Sequence, residues 1–137
     1  MRYALLLATL ALTPMTEQQS LTPADHDRRI DYIEMPATNI PATKKFYADA
    51  FGWKFTDYGP DYTSFVDGRL AGGFTKAMTV QRGGTLVVIF AVDLADAEKR
   101  VRAAGGTVTK PVFSFPGGHR FHFTDPSGNE LAVWSDR

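Results

Sequence analysis

Apolar and polar residues alternate along Ile30-Asp31-Tyr32-Ile33-Glu34-Met35, the period of two expected of a strand with one buried face. The period then changes. Asn39 carries a side-chain acceptor suited to capping a helix, and apolar residues recur at Ile40, Phe46, Tyr47, Ala50 and Phe51 as a helical stripe. Gly52 then supplies the residue type on which helices commonly end. The same order returns further on. Leu86 to Val92 is an unbroken apolar run, Asp93 is a second cap, Leu94, Ala97, Val101 and Ala104 form a second stripe, and Gly105-Gly106 closes it. Asn39 and Asp93 are 54 residues apart, as are Gly52 and Gly106. A fixed offset of this size predicts two copies of one supersecondary unit.

Each helix is followed by three strand-like segments. They cover residues 53–57, 62–66 and 70–74 in the first copy and 107–113, 120–124 and 130–134 in the second. Turn chemistry separates them: Tyr58-Gly59-Pro60-Asp61 and Asp67-Gly68, then Phe115-Pro116-Gly117-Gly118 and Asp125-Pro126-Ser127-Gly128-Asn129. The predicted order is βαβββ twice, an α+β domain over residues 30–137. Its modules cover about 30–82 and 85–137 and are joined at Gly83-Gly84.

Three motifs in chain order carry a family resemblance. Phe46-Tyr47 with Phe51-Gly52-Trp53 forms the first, and Ala91-Val92-Asp93 with Ala103-Ala104-Gly105-Gly106 the second. The third is Arg120-Phe121-His122-Phe123-Thr124-Asp125-Pro126-Ser127-Gly128-Asn129-Glu130-Leu131. Together with the doubled βαβββ order, they resemble the vicinal-oxygen-chelate proteins of the glyoxalase/bleomycin-resistance/dioxygenase superfamily across residues 30–135. The resemblance implies curved mixed sheets enclosing a cleft, and a homodimer. It does not choose the chemistry, because that fold serves lyases, ring-cleaving dioxygenases, epimerases, fosfomycin-inactivating transferases and drug-sequestering proteins.

The resemblance also implies where a divalent metal would be held by His and Glu: one ligand on each module's first strand and one near each module's end. Those positions read Tyr32, Gly72 or Gly73, Leu86 or Val87, and Ala132. Imidazole and carboxylate ligands are missing from all of them, so no metal cofactor is expected. The alternative is a displaced site. Strand alternation puts Glu34 with Tyr32 and Glu130 with Ala132, so the two carboxylates would face the cleft from adjoining strands, with His122 or His119 adding a nitrogen. Otherwise Glu34 and Glu130 sit at sheet ends, solvated or paired with Arg29, Arg69 or Lys54.

The candidate ligand-binding residues are Tyr32, Glu34, Ile89, Phe90, His122, Glu130 and Trp134, and the candidate catalytic groups are Glu34, His122 and Glu130. Glu34 could serve as a general base in an apolar cleft. His122 alternates with Phe121 and Phe123, which are expected to point inward, leaving it outward or at the module interface. Trp134 either stacks a planar ligand or closes the core. Trp53 is expected to pack. Phe113, Phe115 and the Pro116-Gly117-Gly118 turn are expected at the cleft mouth.

Composition narrows the ligand. Lys plus Arg and Asp plus Glu balance at 15 each, so no net field favours nucleic acid. Ten Phe, five Tyr and two Trp favour a small aromatic or apolar partner. Cysteine is absent, which removes disulfides, thiolate metal sites and cysteine nucleophiles together. No P-loop, dinucleotide fingerprint or nucleophile elbow is present. The expected function is therefore small-molecule binding without the usual metal. The alternatives are a lyase-, isomerase- or dioxygenase-type enzyme using a displaced Glu/His site, and a dimeric module with a filled cleft. At the start, Met1-Arg2 precedes an apolar run of 11 residues broken by Pro14. Residues 1–24 thus read as a secretory leader, implying export, or as a disordered tail of a cytoplasmic protein; residues 25–29 read as a linker.

Overall fold

The computed structural model describes residues 22–137; of the expected leader or tail, residues 1–21 lie outside that range. A single helical turn, α1 (Pro23–His26), opens the described chain. It forms where no element was expected, because Asp25 Oδ2 accepts from both the backbone N–H and the hydroxyl of Thr22 and Pro23 sits at the first helical position.

Both modules then follow the expected order. The first holds β1 (Tyr32–Pro36), α2 (Ile40–Phe51), β2 (Lys54–Asp57), β3 (Tyr62–Val66) and β4 (Ala71–Thr75). The second holds β5 (Val87–Phe90), α3 (Leu94–Ala103), β6 (Thr107–Phe115), β7 (Gly118–Thr124) and β8 (Glu130–Ser135). The caps act as their chemistry dictates. Asn39 accepts from the Ala42 N–H and Asp93 from the Asp96 N–H, each at 2.9 Å. The left-handed residues after the helices are Gly52 (φ 73°) and Gly105 (φ 95°). The second helix therefore ends one residue earlier than the Gly52-to-Gly106 spacing suggested.

The sheets have matching topologies, β1-β4-β3-β2 and β5-β8-β7-β6. In each, the first strand of the module lies parallel to the last, and the remaining pairs are antiparallel. The expected mixed sheet is thus built as two sheets of four strands. Among the described residues β1 pairs only with β4 and β5 only with β8, and no ladder joins one module to the other.

The modules are held together by a shared core. Phe46, Tyr47, Trp53, Phe65 and Phe74 of the first module form one cluster with Phe121, Phe123, Leu131 and Val133 of the second. Phe46 and Phe51 on α2 lie 5.9 and 5.8 Å from the Phe123 ring. Trp53 is stacked between Tyr47 at 4.7 Å and Phe65 at 4.4 Å, the packing role expected of it. Each such aromatic gains about 1.5–3 kcal/mol from burial.

The Asp125-to-Asn129 turn adds a polar clasp. Its buried Asp125 carboxylate accepts from the Tyr47 hydroxyl, the Asn129 side chain and the backbone N–H groups of Ser127 and Asn129, all at 2.9 Å. Asn129 also donates to the Pro36 carbonyl at 2.7 Å, and the Thr38 N–H donates to Ser127 Oγ at 2.9 Å. The turn that carries the family resemblance therefore fixes the end of β1 and the start of α2 to the start of β8.

Candidate functional site

Pairing registers sort the strand residues by face. Glu34 lies opposite Gly73, Ser64 opposite Gly73, Val88 opposite Ala132, and His122 opposite Ala132. These residues stand on the face turned away from the helices, because Met35, Phe65, Phe74, Phe121, Phe123 and Leu131 fill the helix-facing core. One correction follows. On β5 the outward residue is Val88, since Val87 packs against the core. On β1 both Tyr32 and Glu34 stand on the outward face, with the Tyr32 hydroxyl close to Gly73. The layer expected to hold a metal therefore reads Tyr32 or Glu34, Gly73, Val88 and Ala132.

At most one carboxylate beside three aliphatic or glycine positions does not fit a divalent ion, and the displaced alternative is not assembled either. Among the described residues no three His, Asp or Glu side chains converge on one point. Glu34 and Glu130 belong to different sheets rather than adjoining strands, and each is engaged elsewhere. Neither pairs with Arg29, Arg69 or Lys54.

Glu34 closes a chain of hydroxyls. Tyr32 Oη lies 2.6 Å from Tyr62 Oη, and Tyr62 donates to Glu34 Oε1 at 2.9 Å. Tyr62 spends its single proton on Glu34, so the Tyr32 proton points at Tyr62. Burial, followed by these two hydrogen bonds, raises the Tyr62 phenol well above its ordinary value. Gly73 makes the arrangement possible: a Cβ there would overlap the Tyr62 hydroxyl and lie 2.9 Å from that of Tyr32. Tyr62 was not anticipated as a site residue. It begins a strand after a turn, and only the pairing register brings its ring over Gly73.

Glu130 holds the other pair. His122 Nδ1 lies 2.9 Å from Glu130 Oε1. His122 shares a face with Arg120, as alternation required, but that face is covered and the histidine is only 3% exposed. His122, expected outward or at the module interface, is instead buried within its own module, where Phe113 lies against it at 5.8 Å between ring centroids. The Arg120 guanidinium stands over the Phe113 and Phe115 rings at 5.1 and 5.4 Å. Two buried side-chain nitrogens in this layer, His122 Nε2 and Arg120 Nε, have no hydrogen-bond partner among the described residues. Arg120 also went unanticipated as a site residue.

Two cavities follow the seam between β1 and β5. One, of about 610 Å³, is lined by Glu34 and Pro36 of the first module, Val87, Asn129 and Glu130 of the second, and Met78 of the connection. The other, of about 710 Å³, is lined by Trp53 and Leu70 on one side and Ile89, Phe90 and Trp134 on the other. Ile33, Met35 and Val87 border both. Both volumes suit a small organic molecule. Of the anticipated residues, Glu34 and Glu130 line the first cavity and Ile89, Phe90 and Trp134 the second. Tyr32 stands behind Glu34 through Tyr62, and His122 behind Glu130. Trp134 meets Phe90 edge-on at 5.2 Å and Phe115 at 6.1 Å.

Solved structures share this architecture. A glyoxalase-related enzyme from Fulvimarina pelagi superposes with a TM-score of 0.68 at 19% identity, covering 79% of this chain and 88% of that one. A mutant of the fosfomycin resistance protein FosX from Listeria monocytogenes, in complex with Mn(II) and a dihydroxypropylphosphonic acid, gives 0.69 at 15% identity, covering 78% and 89%. A lactoylglutathione lyase from Agrobacterium tumefaciens gives 0.62 at 18% identity, covering 79% and 93%. At these identities the likeness is one of fold. No curated protein matches the sequence. The sequence model of the Glyoxalase/Bleomycin resistance protein/Dioxygenase superfamily matches residues 29–133. The doubled βαβββ topology and this match across most of the chain show that the protein belongs to that superfamily.

Proposed function

We propose that the protein binds a small aromatic or apolar molecule at the seam between its modules, without a divalent metal. The observation that carries this reading is the pair of adjoining cavities, of about 610 and 710 Å³, walled by both modules. Phe90 and Trp134 offer ring faces and edges to a planar ligand, while Glu34 and Glu130 give one cavity two hydrogen-bond acceptors. Superfamily members named for lyase and fosfomycin-resistance activities lend the fold a precedent for small substrates but do not transfer a reaction. We also propose a homodimer, which would cover the exposed Val66, Val88 and Phe90.

Thermal unfolding in the presence of benzyl alcohol, indole and benzoate, with metal analysis of protein purified without chelators, tests the proposal. The expected result is a saturable rise in Tm with at least one compound and no stoichiometric metal. No rise with any of them overturns the binding reading. Stoichiometric zinc, nickel, manganese or iron that is lost in the Glu34→Gln/Glu130→Gln double variant overturns its metal-free part.

A second reading, a metal-free lyase or isomerase, draws on one specific observation. Each cavity carboxylate is bonded to a proton-bearing partner, Glu34 to Tyr62 and Glu130 to His122. Such pairs can accept a proton at one point of a substrate and return it at another.

A further inference from the structure

We propose that Arg120 and His122 form a subsite for the carboxylate of an aromatic monocarboxylic acid, on the outer face of the second module's sheet beneath Phe113 and Phe115. The inference rests on the small-molecule reading above and names the chemical class of that molecule.

The argument starts from two nitrogens. Polar atoms shut away from water nearly always find a partner, and leaving one unpaired costs about 1–3 kcal/mol. Among the described residues His122 Nε2 and Arg120 Nε are both buried and both unpaired. They are also neighbours: the side chains stand two residues apart on one face of β7, roughly 7 Å between Cα atoms. Two independent lapses in one small patch are less economical than one missing partner that serves both.

The chemistry of the pair identifies that partner. Arg120 has only donors, and it forms no ion pair among the described residues. The Glu130 carboxylate accepts from His122 Nδ1, which leaves Nε2 as the imidazole's free nitrogen. With Nδ1 turned to Glu130, Nε2 is the nitrogen left to meet a ligand, and it donates to an anion when the ring carries both protons. Lys110 is the cross-strand neighbour of His122 on β6, so the charged groups facing the patch are Arg120, Lys110 and the single carboxylate Glu130. This balance favours a monoanion, and a planar fork of donors suits a carboxylate.

The surroundings supply the aromatic preference. Phe113 is half-buried and lies against the His122 ring, and Phe115 adjoins both Arg120 and Trp134. Both phenylalanines sit on β6, an edge strand of its sheet among the described residues. The pairing of β6 with β7 shifts register between Val108 and Lys110 and again between Lys110 and Phe113. Such irregularities loosen a strand and re-aim its side chains. Rotating Phe113 away from His122 uncovers Nε2 and leaves its ring as a wall beside the incoming acid.

Calorimetric titration of the full chain with benzoate, benzyl alcohol and inorganic phosphate tests the inference. Benzoate is expected to bind about tenfold more tightly than benzyl alcohol, with phosphate weaker than both. In Arg120→Gln and His122→Gln the preference for benzoate over benzyl alcohol disappears. With wild-type protein and ¹⁵N-labelled histidine, benzoate shifts the Nε2 resonance of His122 and benzyl alcohol does not, a readout that needs no variant to fold. If benzyl alcohol binds as tightly as benzoate, or phosphate binds as tightly as benzoate, this inference fails and the seam reading stands. If neither benzoate nor benzyl alcohol binds, both fail.

Discussion

Tyr62 and Gly73 make one unit although they lie on different strands. The glycine's missing side chain is the space in which two phenol oxygens meet, and those oxygens end on Glu34. Tyr47 is placed comparably, fully buried and donating to Asp125. Burial is the main cause that raises each phenol, aided for Tyr47 by the charge of Asp125 and for Tyr62 by its two hydrogen bonds. Following tyrosinate absorbance with pH, Tyr47→Phe and Tyr62→Phe should each leave the amplitude that develops near pH ~10 unchanged, since neither phenol ionises there. A loss of one tyrosine's worth of signal in either variant would contradict the geometry. At this scale the sequence was legible only in part. Alternation correctly grouped His122 with Arg120 and Glu34 with Tyr32. It could not show that Phe113 covers His122, which depends on the shifted register of β6 and β7, nor that Tyr62 reaches across to Glu34, which depends on pairing between strands distant in the chain.

Among the elements, the turn at Asp125 performs the largest structural task. It supplies acceptors to the first module's helix and to its own backbone, and its Asn129 takes up the Pro36 carbonyl. Removing the carboxylate leaves several buried donors unpaired, so Asp125→Ala is expected to cost about 2–4 kcal/mol in chemical denaturation. The pH dependence carries its own sign. Burial raises the Asp125 carboxyl above its ordinary 3.8, outweighing the hydrogen bonds from Asn129, Tyr47 and Ser127 that lower it. A carboxyl raised in the folded state favours folding below its unfolded value, and that contribution is lost as pH rises through the folded value. Across the range above pH ~4, wild-type stability should therefore fall relative to Asp125→Asn. An unchanged difference between the two proteins would show that Asp125 ionises as it does in the unfolded chain. The helices, their caps and most strands were readable from period and punctuation. The one-residue discrepancy at Gly105 arose because a glycine pair offers two stopping points and sequence does not rank them.

Among the described residues the two modules share one core despite the doubled plan. Nothing in the repeat requires this, since two modules could each close their own core. Here α2 of the first module packs onto Phe123 of the second, and one cluster runs through both. Phe123→Ala is expected to cost about 3–5 kcal/mol and to lower a single unfolding transition, with calorimetric and van't Hoff enthalpies in agreement. Two separable transitions in the wild type would refute the shared core. The repeat predicted two similar modules but carried no information on how they meet. That meeting is set by Phe46, Phe51 and the Asp125 turn, whose partners lie some 70–95 residues away.

The unladdered seam has a further consequence. Among the described residues β1 and β5 each pair along one edge only, and an unpaired strand edge carries free peptide donors and acceptors. Those groups present donors and acceptors at the strand spacing, whatever side chains flank them. A guest lying there can be gripped by main chain, a mode of recognition that mutation of the walls does not erase. Substitutions at positions such as Val87 or Ile33 can then reshape what fits while the peptide grip persists. This gives a lineage a way to change its guest without first losing the capacity to hold one.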